Sequence, residues 1–154
     1  MGPMPPLPAD ALARRIAWKD IDHEYLNRII RLAKNEDLSG AGFIDSPPGP
    51  IDVTTATFPP TSQLAQADLF AREQQTICGL SLMPMILDAY GGGTFTTNFQ
   101  DGQSVSSGTK IGTIEGNPAH LLSAERVLLN FLQHLSGIAT ISTAFVKKLD
   151  DSHT

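Results

Sequence analysis

Ser123-Ala-Glu-Arg-Val-Leu-Leu-Asn-Phe-Leu-Gln-His-Leu-Ser-Gly-Ile-Ala-Thr140 is the stretch on which the organisation of the chain turns. Between Leu121 and Leu149, the residues Leu128, Phe131, Leu135, Ile138, Phe145 and Leu149 recur at three- and four-residue steps. That is the period of a helix burying one face. Ser123 suits an N-cap, and Glu125 falls in the first turn, where a carboxylate complements the helix dipole. Ser136-Gly137 is the interruption, since a glycine inside a helix costs about 1 kcal/mol relative to alanine. The pair marks a kink or a close backbone approach. At about 100° per residue, Arg126, Asn130, Gln133, Gly137 and Thr140 share one narrow polar stripe. Apolar side chains crowd the remaining circumference, so the helix should be buried on more than one side. The stripe reads as an ordinary solvated face. With an arginine one turn inside a helix N-terminus, it also reads as a place to hold an anion.

Working outward, Lys110–Glu115 is a short strand and Asp101-Gly102 a tight-turn signal, while Thr94–Phe99 is a β-prone run. Gly91-Gly-Gly93 stops a helix over Leu80–Tyr90 that carries Leu82, Met83, Ile86, Leu87 and Tyr90, with Pro84 tolerated in its first turn. Ser62–Arg72 alternates Ala65, Ala67, Leu69 and Ala71 against Gln66, Asp68, Phe70 and Arg72, which predicts a strand. Gln75–Cys78 continues it or pairs with it. Nearer the start, Asp20 or Asp22 caps a helix with Tyr25, Leu26, Ile29, Ile30 and Ala33 on one side, fraying near Asp37-Leu-Ser-Gly40. A short helix over Asp10–Trp18 precedes it. Ser46-Pro-Pro-Gly-Pro50 makes Gly40–Pro50 an exposed loop. The connections between strands are short, so the sheet should be antiparallel and the class α+β. The chain divides into a flexible tail (1–9), a helix–sheet sandwich (10–120) and a long linking helix with the start of a further domain (121–154).

Composition sets limits on function. A chain of 154 residues, 41% hydrophobic and 18% charged, can bury a core of ordinary size. The net charge is -5 and no Lys/Arg cluster is present, which argues against a nucleic-acid or anionic-membrane partner. Cys78 is alone, so it forms neither an internal disulfide nor a thiolate metal site and fits a reducing compartment. No apolar run approaches the about 20 residues that span a bilayer. Met1–Pro8 lacks the basic and apolar regions of a signal peptide. The expectation is a cytoplasmic protein.

Ala124-Glu125-Arg126, Leu129-Asn130-Phe131 and His134-Leu-Ser-Gly-Ile-Ala-Thr140 resemble the helix joining the two domains of the quinolinate phosphoribosyltransferases, decarboxylating enzymes of NAD biosynthesis. Asp52-Val-Thr-Thr55, the run from Ala71-Arg72-Glu73 to Gly79-Leu80, and Asp101-Gly102, Val105, Gly108, Ile111 and Gly116 resemble the family pattern in order and spacing. One departure is that Gly40–Pro50 looks inserted, with Ile51 where the family has a glycine. The resemblance implies an N-terminal sandwich domain whose long helix leads into an α/β barrel beyond these residues. It implies that the barrel supplies the catalytic cations and the acidic residues for magnesium. No catalytic residue and no metal ligand would then lie in this chain. It further implies that Arg126 binds a carboxylate of quinolinate in the neighbouring subunit of a homodimer or higher homo-oligomer, with phosphoribosyl pyrophosphate as second substrate. Residues 1–154 alone should be inactive. The alternatives are a related type II phosphoribosyltransferase, nicotinate-specific or ModD-like, and a stand-alone dimerisation or binding module.

Other features read as structure. His120 and His134 lack a carboxylate at metal or triad spacing. Glu36-Asp37 and Asp150-Asp151 read as solvated ends, and Cys78 as a small buried hydrophobe. Gly91-Gly-Gly93 and Gly108-Thr-Lys110 lack the residues of a P-loop. For Arg126, the competing reading is a structural salt bridge, for example to Glu125 or Glu115.

Overall fold

Asp22, not Asp20, begins the first helix: its Oδ1 accepts from the backbone N–H groups of Glu24 at 2.9 Å and Tyr25 at 3.1 Å, the usual office of an N-cap aspartate. Helix α1 runs His23–Ser39 and buries Ile30. Its end does not fray. Gly40 takes φ 61°, and the Gly40 and Ala41 N–H groups close onto the Glu36 and Asn35 carbonyls, a glycine-terminated C-cap. The computed structural model describes residues 16–42 and 63–152. The expected tail, most of the Asp10–Trp18 helix, the bulk of the Gly40–Pro50 loop and Asp52-Val-Thr-Thr55 lie outside them. Trp18–Asp20 is a single 3-10 turn.

Among the described residues five short strands form two antiparallel sheets. Strand β1 (Ala65–Phe70) pairs with β5 (Lys110–Gly116), which pairs in turn with β3 (Thr94–Thr96), in the order β1-β5-β3. Ala65 stands opposite Gly116, Phe95 opposite Ile114, and the β1 register shifts between Leu69 and Phe70. Strand β2 (Gln75–Thr76) neither continues β1 nor pairs with it; its partner is β4 (Ser104–Val105). The chain is turned aside at Ala71, which exchanges backbone bonds with Gly108 and Thr109. A 3-10 turn at Leu80–Leu82 leads into helix α2 (Met83–Ala89), with Pro84 in its first turn.

Helix α3 spans Pro118–Ser152 and so begins before Ser123, which lies inside it. Asn117 is the residue that starts it. Its Oδ1 accepts from Ala119 N–H at 2.9 Å and its carbonyl from Leu121 N–H at 3.0 Å, and Pro118 supplies the fixed φ favoured at the first helical position. Leu121, Ala124, Val127, Leu128 and Leu132 then enter the core with Ile30, Ile77, Met83, Ile86 and Leu87. Burial on α3 stops at Ser136. Beyond it Ile138, Phe145 and Leu149, expected on the buried face, are 52–65% exposed, and so is Ile141.

The interruption at Ser136-Gly137 resolves as a close approach made by the serine. Ser136 is 1% exposed; its Oγ accepts from Cys78 N–H at 3.0 Å and donates to the Cys78 carbonyl at 3.3 Å. One turn on, Thr140 Oγ1 accepts from Thr76 N–H at 2.8 Å while donating to the Ser136 carbonyl. Thr140 therefore leaves the polar stripe: its hydroxyl serves the edge of β2. Gly137 faces open space.

Across β1 and β5, Asp68 accepts from Lys110 Nζ and Thr113 Oγ1, each at 2.7 Å. The bond from Lys110, and then that from Thr113, hold the Asp68 carboxyl below its ordinary value of 3.8. A carboxylate with a folded-state pKa below the unfolded one stabilises the fold above the unfolded value, and that contribution is lost as pH falls through the folded one. Asp68→Asn should therefore lower the melting temperature at neutral pH, with the gap from wild type closing in acid below the ordinary carboxylate range. Thermal melts at the two pH values check this; a gap of the same size at both would rule the pair out as its source.

Candidate functional site

Arg126 sits eight residues past Pro118 on α3, more than two turns in at about 3.6 residues per turn. The field of a helix end fades within its first turn, so the attraction for an anion at Arg126 comes from its own guanidinium. The Arg126 side chain is 76% exposed, and its Nη1 donates to Oδ1 of Asp37 at 2.8 Å. The partner is neither Glu125 nor Glu115. Glu125, the preceding residue, projects about 100° around the helix, whereas Asp37 comes from α1, 89 positions away in sequence.

The contact is lopsided. The Asp37 side chain is only 9% exposed, so it is not the solvated end that Glu36-Asp37 suggested. A signal for this was present: Asp37 lies seven residues after Ile30, two helical turns along the face that enters the core. Among the described residues Arg126 has no second partner, so its Nε–Nη2 edge is open. That edge matches a carboxylate bidentately.

Asn130, one turn beyond Arg126, begins a groove of about 610 Å³ lined, among the described residues, by Asn130, Phe131, Gln133, His134 and Leu135. Arg126, Asn130, Gln133 and Gly137 are all exposed, which leaves a polar stripe shorter than expected by Thr140. His134 is on the groove wall. His120 packs its ring against Gly91, where an added Cβ would lie 2.6 Å from the imidazole; its role is packing. Burial, and then the charge of Asp101, push the Cys78 thiol up, which disfavours the reactive thiolate.

Magnesium, implied by the resemblance, finds no donor set among the described residues. Among the described residues no group of three or more His, Cys, Asp and Glu is placed to hold a metal ion. Asp37 is engaged by Arg126, Asp68 by Lys110 and Thr113, and Asp101 by the Gly79 and Leu80 N–H groups. Among the same residues no helix is long and apolar enough to cross a membrane.

Among the described residues a helix-flanked antiparallel sheet feeds a long helix that carries the outward Arg126. The family of the chain emerges from comparison. The sequence profile of the quinolinate phosphoribosyl transferase N-terminal domain matches residues 52–136, more than half of the chain, and the chain belongs to that family. It is 33% identical over 118 residues to quinolinate phosphoribosyltransferase [decarboxylating] 2b, mitochondrial, of Nicotiana tabacum, covering 76% of this chain and 31% of that one. It is 30% identical over 130 residues to nicotinate-nucleotide pyrophosphorylase [carboxylating] of Mycobacterium leprae, covering 82% and 43%. The fold matches the nicotinate-nucleotide pyrophosphorylase of Francisella tularensis with TM-score 0.71 at 26% identity, over 85% of this chain and 43% of that one. NadC from Streptococcus pyogenes matches with TM-score 0.70 at 30% identity, over 83% and 42%. The chain thus spans between about a third and two fifths of the length of these proteins.

Proposed function

We propose that this chain is the N-terminal part of a quinolinate phosphoribosyltransferase. That enzyme transfers the phosphoribosyl group of phosphoribosyl pyrophosphate to the pyridine nitrogen of quinolinate. The C1–oxygen bond breaks with pyrophosphate leaving, and the C1–nitrogen bond forms. The 2-carboxylate then departs as carbon dioxide; the electron pair left on the ring carbon takes up a proton, giving nicotinate mononucleotide. The observation that carries the reading is Arg126, exposed, with its Nε–Nη2 edge open among the described residues, on the part of α3 that the family profile covers. In this role Arg126 grips a carboxylate of quinolinate across a homodimer, adding one cation to a site whose other groups lie on the neighbouring subunit.

The exposed Ile138, Ile141, Phe145 and Leu149 support the same view, because an apolar stripe of this length on a helix calls for cover. Magnesium belongs, in this reading, with pyrophosphate and with donors outside the described residues. The lone Cys78 fits a reducing compartment such as the cytoplasm.

The test begins with the intact mass of the gene product in its source cell, and continues with a quinolinate-dependent assay of released pyrophosphate and carbon dioxide. The expected product is larger than the 16.5 kDa of this chain and forms both, while residues 1–154 alone form neither. A full product that leaves quinolinate untouched, or turnover by residues 1–154 alone, would overturn the reading.

A further inference from the structure

We propose that Asp37 is a positioning residue for Arg126, holding the guanidinium by Nη1 so that its Nε–Nη2 edge is fixed for an incoming carboxylate. The inference rests on the assignment of Arg126 as a carboxylate-binding residue. Three observations carry it.

The first is the burial of the acid. An ordinary surface ion pair exposes both partners, and holding two mobile side chains together gains little. Here the Asp37 side chain is sunk to 9% exposure while the Arg126 side chain remains 76% exposed. The mobile partner is tethered to a fixed one, as suits an arginine that must keep a single geometry yet remain accessible.

The second is that Asp37 has no evident task within α1. It lies in the last turn of that helix, the end at which a negative charge is unfavourable. The nearest cation one turn back, Lys34, is committed elsewhere: its Nζ donates to the Ala89 carbonyl at 2.6 Å and lies 5.1 Å from the Tyr90 ring centroid. Arg126 is left as the charge partner of Asp37.

The third is the rigidity of both supports. Ile30, one element with Asp37, is 1% exposed, and Val127 and Leu128, beside Arg126, are 4% and 1% exposed. The pair bridges two helices packed into one core, so the guanidinium is referenced to the body of the domain. A bidentate grip needs that reference, because a misplacement of about 1 Å can cost a factor of about 100 in rate.

Two experiments test the proposal. In the chain itself, relaxation of the Arg126 Nε–Hε pair should show order close to that of the backbone, and Asp37→Asn should release it. An Nε–Hε already mobile in the wild-type chain overturns the proposal, whatever the enzyme assay gives. In the full gene product, Arg126→Ala should lower kcat/KM for quinolinate by about 100-fold and Asp37→Asn by about 10-fold. The double variant should be no worse than Arg126→Ala, since Asp37 acts only through the arginine. Asp37→Glu, which keeps the charge, should recover part of the loss. If Arg126→Ala costs activity while Asp37→Asn lowers only the melting temperature, positioning fails and the carboxylate reading stands. If neither changes kcat/KM in a folded enzyme, the carboxylate reading itself fails.

Discussion

Gly112→Val should destabilise the chain by about 3 kcal/mol or more, near the upper end for overpacked cores, and lower its melting temperature by about 10 °C. Gly112 lies in β5, the central strand of the larger sheet, opposite Leu69 of β1. A Cβ placed there would fall 2.6 Å from Phe95 Cε2, 2.9 Å from Phe95 Cζ and 2.7 Å from the Thr96 carbonyl oxygen. The ring could turn away, but the carbonyl could not without disturbing the pairing of β3 with β5. The requirement is steric and not conformational, for Gly112 has no positive φ. Gly112→Ala should therefore act in the same direction with a smaller effect, since Cβ alone makes the collision. Urea and thermal denaturation of the three proteins would show the graded order. A valine variant melting within about 2 °C of wild type would mean that the β3–β5 edge yields at little cost.

The helices that build the core were legible because their signals are local. The spacing of Leu128, Phe131 and Leu135 announces α3, and Leu82, Met83, Ile86 and Leu87 announce α2. Asp22 and Gly40 punctuate α1 by side-chain capping and left-handed backbone. Two errors have a common physical source. Ser123 looked like the N-cap because the strong apolar period starts there. In fact Asn117-Pro118 supplies the cap and the fixed φ, and these act through the backbone whether or not the first turn is apolar. Likewise Ile138, Phe145 and Leu149 keep the apolar period of Leu128, yet no described residue covers them. Period reveals which face is apolar, not how far along it the neighbours reach. The candidate site was half legible. Arg126 stood out by its place in the family motif, whereas its anchor Asp37 belongs to another helix and to a pair 89 residues apart. The partner of β2 was hidden for the same reason, since a two-residue strand carries too little pattern to specify its ladder.

Ser136→Val and Gly137→Ala, adjacent on α3, should move stability in opposite directions. Ser136 is 1% exposed, and its hydroxyl satisfies both backbone groups of Cys78, accepting at 3.0 Å and donating at 3.3 Å. Valine would strand that N–H and carbonyl where water is scarce, each unsatisfied group costing about 1–3 kcal/mol. It would also force a larger, branched side chain against a backbone held at hydrogen-bonding distance. A net loss of about 3 kcal/mol is expected. Ser136→Ala separates the two contributions, because it removes the hydroxyl without adding bulk and should retain the smaller part of the loss. Gly137 has nothing within 4 Å of an added Cβ. There alanine only narrows the freedom of the unfolded chain and favours the helix, stabilising by about 0.5–1 kcal/mol. Chemical denaturation should thus rank Gly137→Ala above wild type, then Ser136→Ala, then Ser136→Val. If Ser136→Val retained wild-type stability, the serine would not be what fastens α3 to this segment, and that task would fall to Thr140 and Thr143 at Thr76.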